Sequence, residues 1–449
     1  MRAGAALPGA RVDRPRPTLK GVPTPRALRA SARAPHAQPS IVVRTSALDD
    51  PGPLLDLLPE GPALSWVRRG EGLVAWGETA RFDAAAGSDR FVDADQWWSR
   101  LLARAVVRDE VDLPGTGPVA FGSFSFDPQS PRGSVLVVPE VVVGCRAGRW
   151  WVTTLAPEGS LPSAPALATH DVTGPGEASF ADGAMPGSQW RLAVAAAVER
   201  ISTGAVDKVV LARDLLASTE RPADPRWLLR GLAERYPGCW TFSVDGLVGA
   251  TPELYVRLER GLVHSRVLAG TIRRTGDDDH DLALAGSLAR SSKDLEEHEY
   301  AVRSVAEALA PHCSSMNVPE APFVLHLANV MHLATDIAGV LTDDSTSLAL
   351  TAALHPTAAV CGTPTSVALQ AIRDLEGMDR GRYTGPVGWI DARGDGEWGI
   401  ALRCAEVDPT DSTRLRLFAG CGIVAGSDPA AELAETQAKF AAFQAALEG

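Results

Sequence analysis

Acidic residues at helical spacing are the first groups in this sequence that could do chemistry. Glu432 and Glu435 are three residues apart in a predicted helix, and Lys439 follows four residues later. Residues three or four apart share one face of a helix, so these side chains should lie together. Carboxylates are ligands for Mg²⁺, but the same spacing also occurs on ordinary solvated faces. From the residues alone, both interpretations stay open.

A second acidic cluster lies in residues 291–299, ahead of an apolar helical stripe. Its acids are Asp294, Glu296, Glu297 and Glu299. They could supply oxygen ligands to Mg²⁺ or form a solvated face. His298 and Glu299 are not followed by the second histidine of a zinc-protease motif, so that motif is excluded.

Single charged residues in apolar surroundings are further candidates. Lys208 opens an apolar strand and Glu253 lies at a turn into another, so the two could act as base and acid. An edge-strand lysine that discourages aggregation and an ordinary turn acid would look the same. Arg403 lies in an apolar segment that contains tryptophan, which indicates either a bound anion or an internal salt bridge. His326 and His332 lie in an apolar stretch, where at least one is expected to be a core histidine.

Two glycines stand at the end of a predicted strand, where they would let a ligand approach the backbone. Gly420 and Gly422 precede Asp428 and Pro429, which are suited to the N-cap and first position of a helix. The glycines also fit a dinucleotide-binding turn loosely. That alternative is disfavoured because no strand follows the last predicted helix to complete the unit.

The elements that must position these groups alternate between strands and helices. Helices are predicted at 188–204, 225–236, 279–310 and 430–447, and strands at 73–76, 118–126, 134–143, 150–155, 208–216, 387–391, 397–407 and 415–424. Two hairpins are predicted at 240–250 and 254–268, and a long loop at 157–187. Many hairpins together with helices predict an α+β fold with antiparallel sheets.

Composition restricts the class of protein. The 449 residues are 45% hydrophobic and 22% charged, which suits a large folded core, either as two or three average domains or as one large enzyme fold. A net charge of −12 argues against nucleic-acid binding. The sequence contains no run of 18 uninterrupted apolar residues, so a membrane-spanning helix is not predicted. Six scattered cysteines without CxxC spacing predict reduced thiols in a cytoplasmic protein.

Residues 1–40 differ from the rest of the chain. They carry eight basic residues against one acid and are rich in alanine and proline. This composition predicts a disordered tail or residues upstream of the true start. An organelle transit peptide is the alternative, since such peptides are arginine-rich and poor in acids.

An ordered series of motifs resembles the family of chorismate-utilising enzymes. The motifs are KVVLAR (208–213), TPEL (251–254), LAGT (268–271), SSKDLEEHEYAV (291–302), MHLAT (331–335), LHPTAAVCGTP (354–364), DRGRYTGPVGW (379–389), GDGEWGIALR (394–403) and AGCGIVAGSDPAAELAETQAK (419–439). The resemblance covers residues 188–445, with weaker support from 60 to 155. It implies one domain over 41–449, with a less distinctive part at 41–187 and a catalytic part at 188–449. The implied fold, that of anthranilate and aminodeoxychorismate synthases, has two large antiparallel sheets flanked by helices.

The resemblance also implies an activity, that of the isochorismate synthase branch. This is an Mg²⁺-dependent isomerase that adds water at C2 of chorismate and loses the C4 hydroxyl. Lys208 matches the general base, which needs burial or a neighbouring cation to become neutral. Glu253 matches the general acid, which needs a raised pKa.

Further positions match the family's ligand-binding residues. Glu297 and Glu435 match the Mg²⁺ ligands, and Glu432 matches a supporting acid. The positions that match substrate-contacting residues are Gly270, Thr271, His332, Ala359, Tyr383, Arg403, Gly420, Gly422 and Lys439.

Two positions distinguish the branches of the family. Aminating members typically carry a lysine where this chain has Thr365, and salicylate synthases tend to have threonine at the position of Ala359. Both positions favour release of isochorismate, for menaquinone or siderophore biosynthesis. A salicylate synthase that also eliminates pyruvate, and a non-catalytic chorismate-binding module, are the alternatives. Chorismate is the only expected partner, and neither nucleic acid nor membrane is expected to bind. The protein is expected to be a monomer.

Overall fold

A computed structural model describes residues 40–160, 162, 165–327 and 330–448 of the chain. Apart from Ser40, the predicted basic tail therefore lies outside the described residues. Strands and helices are numbered in chain order. Within the described ranges, 23 strands form two large sheets of 13 and 10 strands, and eight α-helices accompany them.

The first sheet is antiparallel except at one edge, where β1 and β5 run parallel. In spatial order its strands are β10 (Ala178–Asp182), β11 (Lys208–Thr219), β23 (Arg414–Ile423), β22 (Cys404–Val407), β13 (Leu247–Thr251), β12 (Trp240–Val244), β2 (Leu64–Arg68), β3 (Glu71–Trp76), β8 (Val141–Arg146), β9 (Arg149–Pro157), β1 (Ile41–Leu48) and β5 (Val106–Asp109). The short β19 (Gly362–Thr363) pairs with β11. Lys208, the predicted base, therefore opens a strand that lies inside the sheet between two partners.

The second sheet is antiparallel throughout the described pairings. In spatial order its strands are β16 (Cys313–Asn317), β18 (Val330–Leu341), β15 (Leu262–Arg273), β14 (Leu254–Glu259), β21 (Gly396–Ile400), β20 (Pro386–Asp391), β6 (Val119–Ser123), β7 (Ser134–Val138) and β4 (Ala80–Ala84). The short β17 (Phe323–His326) pairs with β18.

Five of the eight helices in the described ranges begin at a residue whose side chain caps the first turn. The eight helices are α1 (Arg90–Leu102), α2 (Gly187–Ser202), α3 (Pro225–Arg235), α4 (Asp278–Leu288), α5 (Ser292–Leu309), α6 (Ser347–Leu354), α7 (Thr365–Leu375) and α8 (Pro429–Glu448), with a 3₁₀ turn at Leu54–Leu57. As predicted, Asp428 accepts hydrogen bonds from the amides of Ala430 and Ala431 at 3.1 and 2.8 Å and so caps α8. None of the helices in the described ranges combines the length and the apolarity needed to cross a membrane.

Both sheets contribute to one hydrophobic core. Trp66 and Phe242 from the first sheet lie in the same buried cluster as Phe121 and Trp398 from the second. Burying such large side chains is the main favourable term in folding, and here it joins the two sheets. The predicted α+β fold of two large antiparallel sheets with helices is confirmed.

Among the places where the chain passes from one sheet to the other, two lie side by side. The first sheet crossing is Pro252 and Glu253, between β13 and β14; the second is residues 401–403, between β21 and β22. They are hydrogen-bonded to each other, since the Ala250 amide donates to the Arg403 carbonyl at 3.3 Å and the Ile400 amide to the Glu253 carbonyl at 3.2 Å. The prediction of one strand over 397–407 was therefore wrong, because the backbone at Arg403 turns to a φ of 46°.

Two predictions for the first part of the chain were also wrong. The apolar run 134–143 is two strands in different sheets, interrupted at Pro139, whose nitrogen has no hydrogen to donate. The predicted loop at 157–187 contains β10, which pairs with β11. Residues 41–187 supply strands to both sheets, so the sheet topology does not divide at residue 187.

Candidate active site

A cavity of about 200 Å³ gathers every residue that the sequence predicted for the site. We call it the acid-lined cavity. The predicted residues in its wall are Lys208, Glu253, Gly270, Thr271, Glu297, His332, Ala359, Tyr383, Arg403, Gly420, Gly422, Glu432, Glu435 and Lys439. His326, the other histidine of the apolar stretch, is exposed on β17 and lies outside this wall.

Glu253 is a buried acid at the first sheet crossing. Its side chain is 7% exposed, and no cation lies within 4 Å of its carboxyl group in the described part of the chain. Burial raises the pKa of Glu253 to about 8, against smaller opposing effects from the Leu268 amide, Lys208 and Lys439. Glu253 is therefore protonated at neutral pH, which is the state that a general acid requires.

Lys208 lies at the start of β11 with its side chain 5% exposed. Its Nζ is 2.6 Å from Oε1 of Glu297 on α5, and the two form an ion pair. The sequence led us to expect burial or a neighbouring cation at this position. Burial is found, but the close neighbour is a carboxylate.

A second lysine and glutamate form a similar pair on α8. Lys439 Nζ is 2.8 Å from Oε1 of Glu435 and donates a hydrogen bond to the Gly420 carbonyl at 2.8 Å. The carbonyl belongs to β23, so Lys439 fixes the helix against the strand while its charge faces the cavity. Each of the two predicted principal metal ligands thus has a lysine partner.

The carboxylates meet the requirements of Mg²⁺ but do not form a ready-made ligand cage. Among the described residues, no group of three or more His, Cys, Asp or Glu side chains is arranged to hold a metal ion. Glu297, Glu432 and Glu435 nevertheless line the same cavity. Mg²⁺ is commonly held by one or two carboxylates together with water and substrate oxygens, so this donor set fits it.

Arg403 and His332 form a hydrogen-bonded pair in the wall of the cavity. Nη2 of Arg403 lies 3.2 Å from Nε2 of His332, whose Nδ1 is 3.0 Å from the Thr271 hydroxyl. Burial and the charges of Arg403 and Lys439 hold the pKa of His332 well below its ordinary value. Because a guanidinium can only donate, Nε2 accepts and the neutral ring carries its proton on Nδ1.

Arg403 has no carboxylate within 4 Å in the described ranges, although the sequence allowed an internal salt bridge. Its guanidinium contacts His332, the sulfur of Cys239 at 3.6 Å and the ring of Tyr236. A cation without an acidic partner in a cavity wall is suited to a substrate carboxylate. Of the two interpretations left open by the sequence, the structure favours the bound anion.

The glycines of β23 let the strand approach the lysine and the acid. A Cβ atom on Gly422 would lie 2.8 Å from Oε1 of Glu297 and 3.0 Å from Cε of Lys208. A Cβ on Gly420 would lie 3.2 Å from the Tyr383 hydroxyl. All three distances are shorter than ordinary contacts, so a side chain at 422 would require the Glu297 carboxylate and the Lys208 side chain to shift.

Two further polar residues of the cavity wall are Asp294, which the sequence placed in an acidic cluster without assigning it to the site, and Thr384, which it did not single out. Asp294 precedes Glu297 by three residues on α5, as Glu432 precedes Glu435 on α8. The signal was therefore present as a second acidic pair at helical spacing. Thr384 had no such signal, because its place depends on a backbone φ of 58° in an irregular segment.

Comparison with known proteins finds one matching family and relatives that are named isochorismate synthase. Residues 57–448 match the family described as chorismate binding enzyme. The salicylate biosynthesis isochorismate synthase of Pseudomonas aeruginosa is 35% identical over 86% of this chain and 85% of its own length. Isochorismate synthase DhbC of Bacillus subtilis is 45% identical over 54% of this chain, and the match spans 63% of that protein.

Solved structures show the same fold. The menaquinone-specific isochorismate synthase MenF from Escherichia coli superposes with a TM-score of 0.74 at 25% identity, covering 91% of this chain and 95% of that one. Anthranilate synthase component I from Streptococcus pneumoniae, at 20% identity and a TM-score of 0.66, shares the fold.

Proposed function

Since the chain belongs to the family of chorismate-binding enzymes, we propose that it is an isochorismate synthase, an isomerase that interconverts chorismate and isochorismate. The observation that carries the proposal is Glu253, a buried carboxyl group kept protonated at neutral pH in a cavity that also holds a buried lysine. The product, isochorismate, would serve menaquinone or siderophore biosynthesis. Location in the cytoplasm and a monomeric state remain predictions from the sequence; the six free cysteines agree with the first.

The proposed reaction uses one proton acceptor and one proton donor. Lys208, once neutral, takes a proton from water as the water oxygen bonds to C2 of the ring. Glu253 gives its proton to the C4 hydroxyl, which leaves as water while the ring double bond shifts. Proton exchange with solvent then returns both groups to their starting states. Water is both reactant and product, so the reaction is an isomerisation.

The carboxylates of the substrate need positive charge, which the cavity provides from two directions. Arg403, which is hydrogen-bonded to His332, can bind one carboxylate by donating two hydrogen bonds to it. Glu297 and Glu435, with Glu432 beside them, would hold Mg²⁺. When bound, the ion supplies positive charge that binds and orients the C1 carboxylate of chorismate.

Product analysis tests this function. Purified protein with chorismate and Mg²⁺ is expected to yield isochorismate as the sole new product. Salicylate with pyruvate would assign the chain to the salicylate synthases, and an aminated product in the presence of ammonia would assign it to the anthranilate branch. Chorismate binding without turnover would reduce the protein to a binding module. The alanine at 359 and threonine at 365 favour the first outcome.

Removal of Mg²⁺ is expected to weaken chorismate binding by at least about tenfold. The cavity wall carries Glu297, Glu432 and Glu435, and chorismate is itself a dicarboxylate, so like charges meet when no metal is present. Calorimetric titration of Glu253→Gln protein, with and without chelator, measures the affinity without turnover. Equal affinities in the two titrations would contradict the proposed metal role.

Gly422→Ala is expected to lower kcat/KM by about a hundredfold while the protein stays folded. The added methyl group enters the space of the Glu297 carboxylate and the Lys208 side chain, so these two groups must move from their present positions. Gly426→Ala is the matched control, because a Cβ there meets nothing within 4 Å. Steady-state kinetics with melting temperatures would decide the matter, and full activity in Gly422→Ala would show that the contact is dispensable.

A further inference from the structure

Arg380 is a buried cation in the layer directly behind the acid-lined cavity. Its side chain is 2% exposed, and it lies outside the wall of that cavity. It forms an ion pair with Glu376, whose side chain is 1% exposed. Burying two charges is unfavourable unless their remaining polar atoms also find partners. The further contacts of this pair therefore indicate what it does.

All five N–H groups of the Arg380 guanidinium are engaged. Nε donates to Oε2 of Glu376 at 2.9 Å, and one N–H of Nη2 donates to Oε1 of the same carboxylate. The other N–H of Nη2 donates to the Val210 carbonyl at 2.8 Å. Nη1 donates to the Val360 carbonyl at 3.0 Å and to the Thr384 hydroxyl at 3.1 Å. These last three residues all line the acid-lined cavity, so one side chain connects three separate parts of its wall.

The Glu376–Arg380 pair takes the place of a neighbouring strand beside β11. One edge of β11 pairs with β23, while on the other edge β19 pairs with its start and β10 with its end. Between β19 and β10, the Glu376 carboxylate accepts from the Ala212 amide at 2.7 Å and Arg380 donates to the Val210 carbonyl. The two side chains thus supply the acceptor and the donor that a strand backbone would supply.

Lys208 depends on this arrangement for its place in the cavity. The Val210 amide donates to the Cys361 carbonyl at 2.9 Å, and Cys361 follows Val360. Arg380 therefore joins the same two segments that this amide and carbonyl join. Alternate residues of a strand face the same side, and Lys208 lies two residues before Val210 in the cavity wall. A shift of β11 against this segment would move the lysine amine.

From these contacts we propose that Arg380 is a positioning residue for the reaction, one that holds β11, and with it Lys208, against the wall segment at residues 359–361. The inference rests on the proposed function, because it needs Lys208 to be the proton acceptor. A displacement of about 1 Å in a catalytic group can lower a rate by about a hundredfold. A lysine cannot replace the guanidinium, since its donors share one nitrogen instead of a planar fork.

Arg380→Lys tests the proposal because it keeps a positive charge beside Glu376 and removes the geometry of the contacts. We expect it to lower the rate of chorismate consumption at saturating substrate by at least about tenfold. Arg226→Lys is the matched control. Arg226 is also buried and forms an ion pair at 2.6 Å, with Asp224 at the start of α3, and its variant should keep the wild-type rate.

A double-mutant cycle with Lys208→Ala separates positioning from a general loss of structure. If Arg380 acts through Lys208, Arg380→Lys should change the residual rate by less than about twofold once the lysine is absent. A variant that only lowers the fraction of folded protein would lose the same factor in both backgrounds. Calorimetric titration of chorismate in the Glu253→Gln background should give an unchanged stoichiometry, which counts the intact sites directly.

Thr384→Val is a milder second variant, which serves if Arg380→Lys does not fold. It removes one acceptor of the guanidinium and keeps the arginine. We expect about a fivefold loss of rate in the wild-type background and less than about a twofold loss in Lys208→Ala.

Two results would overturn the inference. Equal factors of loss in the two backgrounds would show that Arg380 supports the fold without acting through Lys208. A wild-type rate in Arg380→Lys would show that its contacts with the cavity wall are dispensable. The rate is followed as loss of chorismate, so a product other than isochorismate would contradict the proposed function and leave the cycle intact. Wild-type protein that binds chorismate without consuming it would refute both.

Discussion

Glu253→Gln is expected to slow turnover strongly and, at the same time, to make the folded protein more stable at neutral pH. Loss of a general acid typically lowers rates by 10²- to 10⁴-fold. The amide fits the same buried space and has no proton to give to a leaving hydroxyl. Steady-state kinetics and thermal unfolding of the two proteins at the same pH measure both effects.

The stability gain follows from the raised pKa of Glu253. Its pKa is about 8 in the folded state against 4.5 for an ordinary glutamate, so folding holds a proton that the unfolded chain releases. Wild-type stability therefore falls as the pH rises from about 4.5 to about 8, by an amount on the order of 3 kcal/mol at pH 7. Glutamine does not titrate, so the variant gains that amount less the cost of burying its amide.

Glu376→Gln is the matched control for this effect. Glu376 is also a buried glutamate, but Arg380 pairs with it, and the Ala212 amide donates to it at 2.7 Å. Removing its charge leaves a buried guanidinium without its anion and should lower stability. If Glu253→Gln melted below wild type at pH 7 and above, a protonated Glu253 would be refuted.

The same proton predicts the alkaline limit of activity. As the pH rises through about 8, Glu253 loses its proton and with it the ability to protonate the C4 hydroxyl, so kcat should decrease on that side. A profile that stays flat to pH 9.5 would remove Glu253 from the proton-donating role.

Lys208→Ala is expected to lower kcat by 10²- to 10⁴-fold while chorismate binding remains measurable. The lysine lies at the start of β11 with its side chain 5% exposed, and it is the group proposed to accept the proton of the attacking water. Its truncation leaves Arg403, His332 and Lys439 in the wall, and these residues retain the contacts proposed for the carboxylates.

Lys439→Gln tests whether the two lysines of the cavity have different roles. Lys439 contacts Glu435 and the Gly420 carbonyl and is proposed to hold substrate, so its loss should raise KM more than it lowers kcat. Rapid-quench kinetics with equilibrium binding of chorismate would distinguish the variants. Comparable kcat values for Lys208→Ala and wild type would remove Lys208 from the chemistry.

The sequence was most informative where chemistry depends on local patterns. Helical spacing placed Glu432, Glu435 and Lys439 together on α8, and Asp428 was correctly predicted to cap it. The hairpin at Asp245 and Gly246 was also predicted, and its left-handed φ angles of 51° and 82° are those such a turn needs. The ordered motifs then implied which of the scattered residues would line one cavity.

The sequence was least informative where the chain changes sheets. The sequence around Pro139 and Arg403 does not indicate that the next strand joins the other sheet. Apolar residues continue before and after each of these positions, and the strands on either side are largely buried. Sheet membership is a property of long-range pairing, which local periodicity does not encode.

The two sheet crossings have a consequence for how the chemistry of this scaffold could be changed. Glu253 and Arg403 stand on neighbouring crossings whose main chains are bonded to each other at two points, Ala250 to Arg403 and Ile400 to Glu253. The spacing between the proposed proton donor and the proposed anion-binding residue is therefore set by hydrogen bonds of the backbone. A redesign toward elimination or amination should keep both crossings and vary the segment around Ala359, which enters the cavity from a separate part of the chain.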